Sequence, residues 1–162
     1  MGFFKLLAAA PFFGLGFWYA REVTTKPLDF ASRYGHGSWA LVTGASDGIG
    51  IEYARAFADR GFNLVIIART ENKLKAVAEQ LKAKHGVDVI PITADFSANV
   101  PEQVQNIATQ TAGLDISVLV NNVGMVDNSK IQSVSESHLE AVINANVVTS
   151  TLMNHTYAER LL

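Results

Sequence analysis

The sequence contains no cysteine in its 162 residues, which excludes a disulfide framework, a thiol nucleophile and any zinc site built on sulfur. Its four histidines (His36, His85, His138 and His155) are scattered without metal-ligand spacing, so no metal site is expected. Charge is sparse and balanced: 13 basic and 15 acidic residues give a net −2, and charged residues make up only 17%. That balance excludes a basic nucleic-acid surface, so no nucleic-acid partner is expected. A hydrophobic content of 49% is too high for intrinsic disorder and ample for a packed core. Internal repeats and low-complexity tracts are lacking. The length fits one domain plus a short appendage.

The appendage is the N-terminus. Between Phe3 and Ala20 the only charged residue is Lys5. A bilayer-spanning helix needs about 20 apolar residues, with a lower bound near 17. Residues 3–20 reach that bound if Lys5 snorkels to the interface. Trp18 and Tyr19 fit an interfacial aromatic anchor, followed directly by Arg21. Pro11, Gly14 and Gly16 are better tolerated in a membrane helix than in an aqueous one.

Three readings of this segment stand open. The pattern favours an uncleaved membrane anchor over residues 1–21, touching lipid through residues 3–20. A targeting peptide cleaved near Ala8 to Ala10 is the second, and a buried core helix the third. With an anchor, Arg21, Lys26 and Arg33 outweigh Lys5, which places the rest of the chain in the cytosol or, for a mitochondrial inner membrane, in the matrix. Residue 6 is neither Ser nor Thr, so the myristoylation pattern after Gly2 fails. Residues 22–38 read as a linker, broken by Thr24, Thr25, Pro27, Gly35 and Gly37.

From residue 39 onward strand and helix patterns alternate. Trp39 to Val42 is a short apolar run ended by Gly44. A helix is expected over about Gly48–Arg60, with Ile49, Tyr53, Ala56 and Phe57 at helical spacing and Gly61 beyond its end. Leu64 to Ala68 is continuously apolar, as expected of a parallel strand covered on both faces. The next helix, about Glu71–Lys84, carries Leu74, Val77, Ala78 and Leu81 on one face and stops at Gly86.

A third strand spans Val87–Thr93, and Pro101 opens a third helix with Val104, Ile107 and Ala108 inward. Ile116 to Val120 is the fourth strand. A last helix begins near Ser137, where Ser137 and Glu140 have capping-box spacing, and carries Leu139, Val142, Ile143 and Val147. Four strands with right-handed crossovers predict an α/β fold: a Rossmann-like, doubly wound parallel sheet of order 3-2-1-4. Its fourth strand would be an exposed apolar edge, which soluble proteins avoid. A partner subunit or further C-terminal residues are expected to cover it.

The strongest local signal is Thr43-Gly44-Ala45-Ser46-Asp47-Gly48-Ile49-Gly50, set between the first strand and the first helix. Glycines there allow a sharp turn and close approach of a pyrophosphate, whose charge rests on the helix N-terminus. A NAD-selective site would place an acidic residue at the end of the second strand for the ribose 2′-hydroxyl. The sequence has Ala68-Arg69-Thr70 instead, with Glu71 next. Arg69 suits a 2′-phosphate and Ser46 adds a hydroxyl, so NADP(H) is favoured over NAD(H).

TGASDGIG, Asp95 after the third strand, and Asn121-Asn122-Val123-Gly124 after the fourth together resemble the short-chain dehydrogenase/reductase family. The resemblance implies that Asp95 bonds the adenine, and that Asn122 to Gly124 line the cofactor and steady the sheet. It also implies that Asn146 is the asparagine of a proton relay. The cofactor set is then Gly44, Ser46, Asp47, Gly48, Ile49, Gly50, Arg69, Asp95, Asn122 and Gly124, with Asn146 the one relay residue. A closer likeness covers about Tyr34 to Thr151. LVTGASDGIG, IIARTENKL and GLDISVLVNNVGM resemble the membrane-anchored branch of very-long-chain 3-ketoacyl-CoA reductases and 17β-hydroxysteroid dehydrogenases. That likeness implies an endoplasmic-reticulum anchor and a cytosolic domain.

The same family reduces ketones with a Tyr as acid, a Lys four residues later and a Ser on the preceding strand. After Asn122 the sequence has one tyrosine, Tyr157, and the residue four places on is Leu161. An unassisted tyrosine has a pKa of about 10 and is poorly matched to proton transfer at neutral pH. Two functions are therefore expected as alternatives. One is the cofactor-binding half of a membrane-anchored NADPH-dependent reductase of 3-ketoacyl-CoA or steroid-like ketones, with residues 39–162 a truncated Rossmann domain. The other is a non-catalytic accessory subunit of a membrane complex, including a mitochondrial one, that uses the fold as a scaffold.

Overall fold

The computed structural model describes residues 28–161. Residues 3–20, read above as a membrane anchor, lie outside that range. Among the described residues no helix is long and apolar enough to cross a membrane. Inside the stretch read as linker, Phe30–Tyr34 forms a short helix, α1. Asp29 supports its start by accepting the Ser32 amide.

The alternation continues as β1 (Trp39–Thr43), α2 (Gly48–Ala58), β2 (Asn63–Ala68), α3 (Glu71–His85), β3 (Val89–Thr93), α4 (Val100–Gln110) and β4 (Ile116–Val120). All strands are parallel, in the order β3-β2-β1-β4. This is the expected half of a doubly wound sheet. Pro91, which has no N–H for a ladder, falls in β3, an edge strand of this sheet.

Successive side chains of a strand point to opposite faces, and each face has its own core. Ala40, Val42, Leu64 and Ile66 pack on one side under Ala54 and Ala58 of α2 and Leu74, Val77, Ala78 and Leu81 of α3. Leu41, Val65, Ile67 and Ile92 pack on the other side beneath Val104 and Ile107 of α4. The helix after β4 adds Met153 and Tyr157 to that second core. Gly86, at φ +67, terminates α3 in the left-handed conformation that a residue with a Cβ adopts only with strain.

Two expected faces are corrected. On α2 the buried residues are Gly50, Ala54 and Ala58, whereas Ile49 is 71% and Tyr53 46% exposed. Small residues make the closest approach to the sheet, while Phe57, also expected inward, is half-buried against the same core together with Ile51. The last helix begins at Glu136, capped by Ser135, whose hydroxyl accepts the His138 amide, and not by Ser137. It runs as α5 (Glu136–Ile143), a π-helical turn (Asn144–Val148) and α6 (Thr149–Tyr157). Of the stripe expected to face inward, Leu139 and Val142 are half-buried, whereas Ile143 is 56% and Val147 57% exposed.

β4 pairs only with β1 among the described residues, and four of its five residues are half-buried. The apolar edge expected from the sequence is where the topology places it.

Candidate functional site

Ligands of doubly wound sheets lie beyond the carboxyl ends of the strands, where the crossovers diverge. Here β1 lies between β2 and β4, and a cleft of about 520 Å³ opens above these ends. Gly44, Ser46 and Asp47 after β1, Arg69 after β2, Asp95 after β3 and Gly124 after β4 all line it. Six of the ten residues expected to hold a cofactor are thus brought together by four separate connections.

The other four serve the turn itself or stand beside it. Gly44 and Gly48 have φ of +68 and +54, so both bends need glycine. Gly50 is required by contact: an added Cβ would lie 2.2 Å from the Gly44 carbonyl oxygen and 2.5 Å from Asn122 Nδ2. A Cβ on Gly48 would meet nothing within 4 Å, and the Gly48 amide at the start of α2 donates to the exposed Asp47 carboxylate at 2.8 Å. Ile49 points outward on α2 and takes no part in the cleft wall.

Asn122 sits behind the turn. Its Nδ2 donates to the carbonyls of Thr43 (2.9 Å) and Gly44 (3.3 Å). Thr43 Oγ1 accepts the amides of Asn122 (3.0 Å) and Val123 (3.1 Å) and donates to the Val120 carbonyl (3.2 Å). Backbone groups that leave the sheet at the ends of β1 and β4 would otherwise be buried without partners.

Three acidic side chains, Asp47 and Asp95 on the cleft wall and Asp127 after β4, have carboxyl pKa values lowered by their neighbours. Lys73 and the Gly48 amide hold the Asp47 carboxyl below the usual range. The Ser97 amide does so for Asp95, with Arg69 adding its positive charge. Ser129 lowers Asp127 on the connection after β4 in the same way, and His138 lies 2.9 Å from its carboxylate.

Asn146 falls in the π-helical turn. Its Oδ1 accepts the Met125 amide (2.8 Å) and its Nδ2 donates to the Met125 carbonyl (2.7 Å). This reciprocal pair fixes the connection after β4 where it forms the cleft wall. Asn144, two residues earlier, donates to the Ser97 carbonyl at 3.0 Å and ties the same turn to the end of β3.

Sequence reasoning missed Lys73 and Asn144. Lys73 lines the cleft and meets Asp47 at 2.5 Å. The available signal was its place in the first turn after Arg69. Tyr157 is not part of the cleft wall. It is fully buried, with its hydroxyl 2.6 Å from Thr111 Oγ1 and the Arg160 guanidinium over its ring. Among the described residues no cluster of three His, Asp or Glu could hold a metal ion.

The short chain dehydrogenase profile matches residues 38–162. The very-long-chain 3-oxoacyl-CoA reductase of Meyerozyma guilliermondii is 36% identical over 140 residues, covering 84% of this chain and 41% of the relative. Its counterpart in Aspergillus clavatus is 49% identical over 88 residues, covering 54% of this chain and 26% of the relative. Among solved structures, a 7beta-hydroxysteroid dehydrogenase is similar at TM-score 0.75 and 31% identity, over 82% of this chain and 51% of that one. A short-chain dehydrogenase from Sphingobium yanoikuyae, solved in complex with NADPH, gives TM-score 0.70 and 32% identity over 76% and 48%. The chain therefore spans well under half the length of these curated relatives and about half that of the solved ones.

Proposed function

The chain belongs to the short chain dehydrogenase family, and from that premise we propose that residues 39–162 are the NADP(H)-binding half of a membrane-anchored ketone reductase. The observation that carries this reading is the cradle made by Gly44, Gly48 and Gly50. The turn is closed from behind by Asn122 and open on the side where a Gly48 Cβ would point. The Asp47 carboxylate caps the Gly48 amide at the start of α2 and is exposed, so an arriving pyrophosphate would take its place at that helix N-terminus.

The residues present fit a nicotinamide dinucleotide. The α2 N-terminus takes the pyrophosphate, and Arg69 takes a 2′-phosphate that NAD(H) lacks. Asp95 accepts from the adenine amino group, and Ser46 adds a hydroxyl beside the phosphates. Gly124 keeps the wall after β4 low, since a Cβ there would come within 3.0 Å of Asn146 Oδ1. When bound, the dinucleotide supplies the hydride for ketone reduction. Asn146 holds the Met125 backbone in place and so positions the wall against which the cofactor lies.

A 3-ketoacyl-CoA or steroid-like ketone is the substrate class favoured by the names of the relatives. The apolar stretch at residues 3–20 supports a membrane anchor, and the likeness to very-long-chain 3-oxoacyl-CoA reductases favours the endoplasmic reticulum with the cleft facing the cytosol. An anchor in the mitochondrial inner membrane with the cleft in the matrix is the other placement.

One observation favours a second reading. Thr111 Oγ1 donates to the Ile107 carbonyl at 2.9 Å, so the buried Tyr157 hydroxyl donates to Thr111 and is not free to protonate a ketone. A non-catalytic accessory subunit that keeps the cofactor cleft fits that fact. Mass spectrometry of the protein from its native membrane, with an assay of NADPH oxidation by 3-ketoacyl-CoA, separates the two. The reductase reading expects a polypeptide well above 17.5 kDa that oxidises NADPH. A mass near 17.5 kDa with no turnover would support the accessory subunit.

A further inference from the structure

Lys73 stands in an electrostatically poor place. It lies in the first turn of α3, where the helix dipole disfavours a positive charge. The nearest acidic residue on its own helix, Glu71, is engaged by Lys75 at 2.5 Å. Lys73 is satisfied instead across the cleft mouth by Asp47 Oδ2, 26 residues earlier, while Asp47 Oδ1 accepts the Gly48 amide at 2.8 Å. The Asp47 carboxylate thus lies between a lysine and a helix N-terminus, two groups that bind phosphates well.

The pair is easily exchanged. Its side chains are 48% and 79% exposed, and solvent-screened ion pairs contribute little. A phosphate monoester carries up to two negative charges near neutral pH and offers three acceptor oxygens, so it outcompetes one carboxylate for an ammonium. Arg69, the other cation of the cleft wall, lies at the start of the same connection, four residues before Lys73.

Resting on the NADP(H) reading, we propose that Lys73 is a second residue selecting the 2′-phosphorylated ribose. Asp47 is its counter-ion in the free protein, and cofactor entry exchanges the Asp47–Lys73 pair for a Lys73–phosphate pair. Asp47 then sets a threshold: by holding Lys73, it makes a ligand without the extra phosphate unable to recruit it.

The test is calorimetric titration of the full chain, and of its K73Q, D47N and R69A variants, with NADPH, NADH and adenosine 2′,5′-bisphosphate. K73Q should weaken NADPH and the bisphosphate by about tenfold or more and leave NADH within about twofold. D47N keeps an oxygen for the Gly48 amide but releases Lys73. It should tighten NADPH several-fold and steepen the dependence of that affinity on salt, because an ion pair is then formed without one being broken. Were the pair only a strap between α2 and α3, both variants would lower the melting temperature and leave the NADPH-to-NADH ratio unchanged. That result overturns the proposal. If K73Q has no effect while R69A abolishes the preference, Lys73 alone is wrongly assigned and the cofactor reading stands. If the unmodified chain binds neither dinucleotide, both fall.

Discussion

Thr43, at the carboxyl end of β1, and Asn122, just beyond that of the neighbouring parallel β4, are joined by two hydrogen bonds, both donated by Asn122. Asn122 Nδ2 donates to the Thr43 carbonyl at 2.9 Å, and the Asn122 amide donates to Thr43 Oγ1 at 3.0 Å. The hydroxyl is buried and serves three backbone groups at once. Two strands that end side by side are thereby locked at the one place where the sheet must open toward a ligand.

Replacing Thr43 by Val keeps the shape but strands the amides of Asn122 and Val123. Each unmade buried bond costs about 1–3 kcal/mol, so T43V should lose about 2–4 kcal/mol in a denaturant titration. T43S keeps the hydroxyl and should lose less than about 1.5 kcal/mol. Equal losses for the two would mean that the hydroxyl contributes nothing.

Gly48 and Gly50 are two residues apart and should fail differently. An alanine at Gly50 collides with the Gly44 carbonyl and Asn122, so G50A should destabilise by about 3 kcal/mol. G48A meets open space and bears only the strain of its left-handed backbone, about 1–2 kcal/mol. It should fold but lose NADPH affinity, because its methyl enters the space proposed for the pyrophosphate. Thermal melts with and without NADPH distinguish these outcomes.

Tyr157 acts in the core. Y157F should cost about 1 kcal/mol for the bond to Thr111, and Y157A about 3–5 kcal/mol for the cavity. Neither should change NADPH affinity in the protein that remains folded. A specific loss of binding in Y157F would place this tyrosine in the site after all.

Stability should fall at both ends of the pH scale for separate reasons. Asp47, Asp95 and Asp127 have folded pKa values below the ordinary carboxylate value of about 3.9. Their contribution is complete above that value and is lost as pH falls through the lowered ones. Burial raises the Tyr157 pKa above the ordinary value of about 10, so its contribution is complete below 10 and lost as pH rises through the raised value. Melting temperatures across pH should show the acid loss diminished in D95N. The alkaline loss should be diminished in Y157F.

The strands were legible because parallel strands buried on both faces leave unbroken apolar runs, and Leu64 to Ala68 is such a run. The glycine turn was legible because its spacing sits between a strand and a helix. Ile49 and Tyr53 misled because large apolar side chains suggest burial, whereas α2 approaches the sheet through Gly50, Ala54 and Ala58. The π-helical turn has no pattern of its own, and Ile143 and Val147 misled as Ile49 did: both are apolar and exposed. Lys73 reads as a solvated helix charge. Only the crossover from β2 brings it to Asp47.

The central claim is that this cleft holds NADP(H) against the turn of residues 44–50. Amide hydrogen exchange of the full chain, with and without saturating NADPH, tests it most directly. The account predicts slowed exchange at Ser46 to Gly48, at Arg69 and Thr70, and from Val123 to Met125, while α4 is unchanged. Exchange that is identical with and without NADPH across all three connections would contradict it.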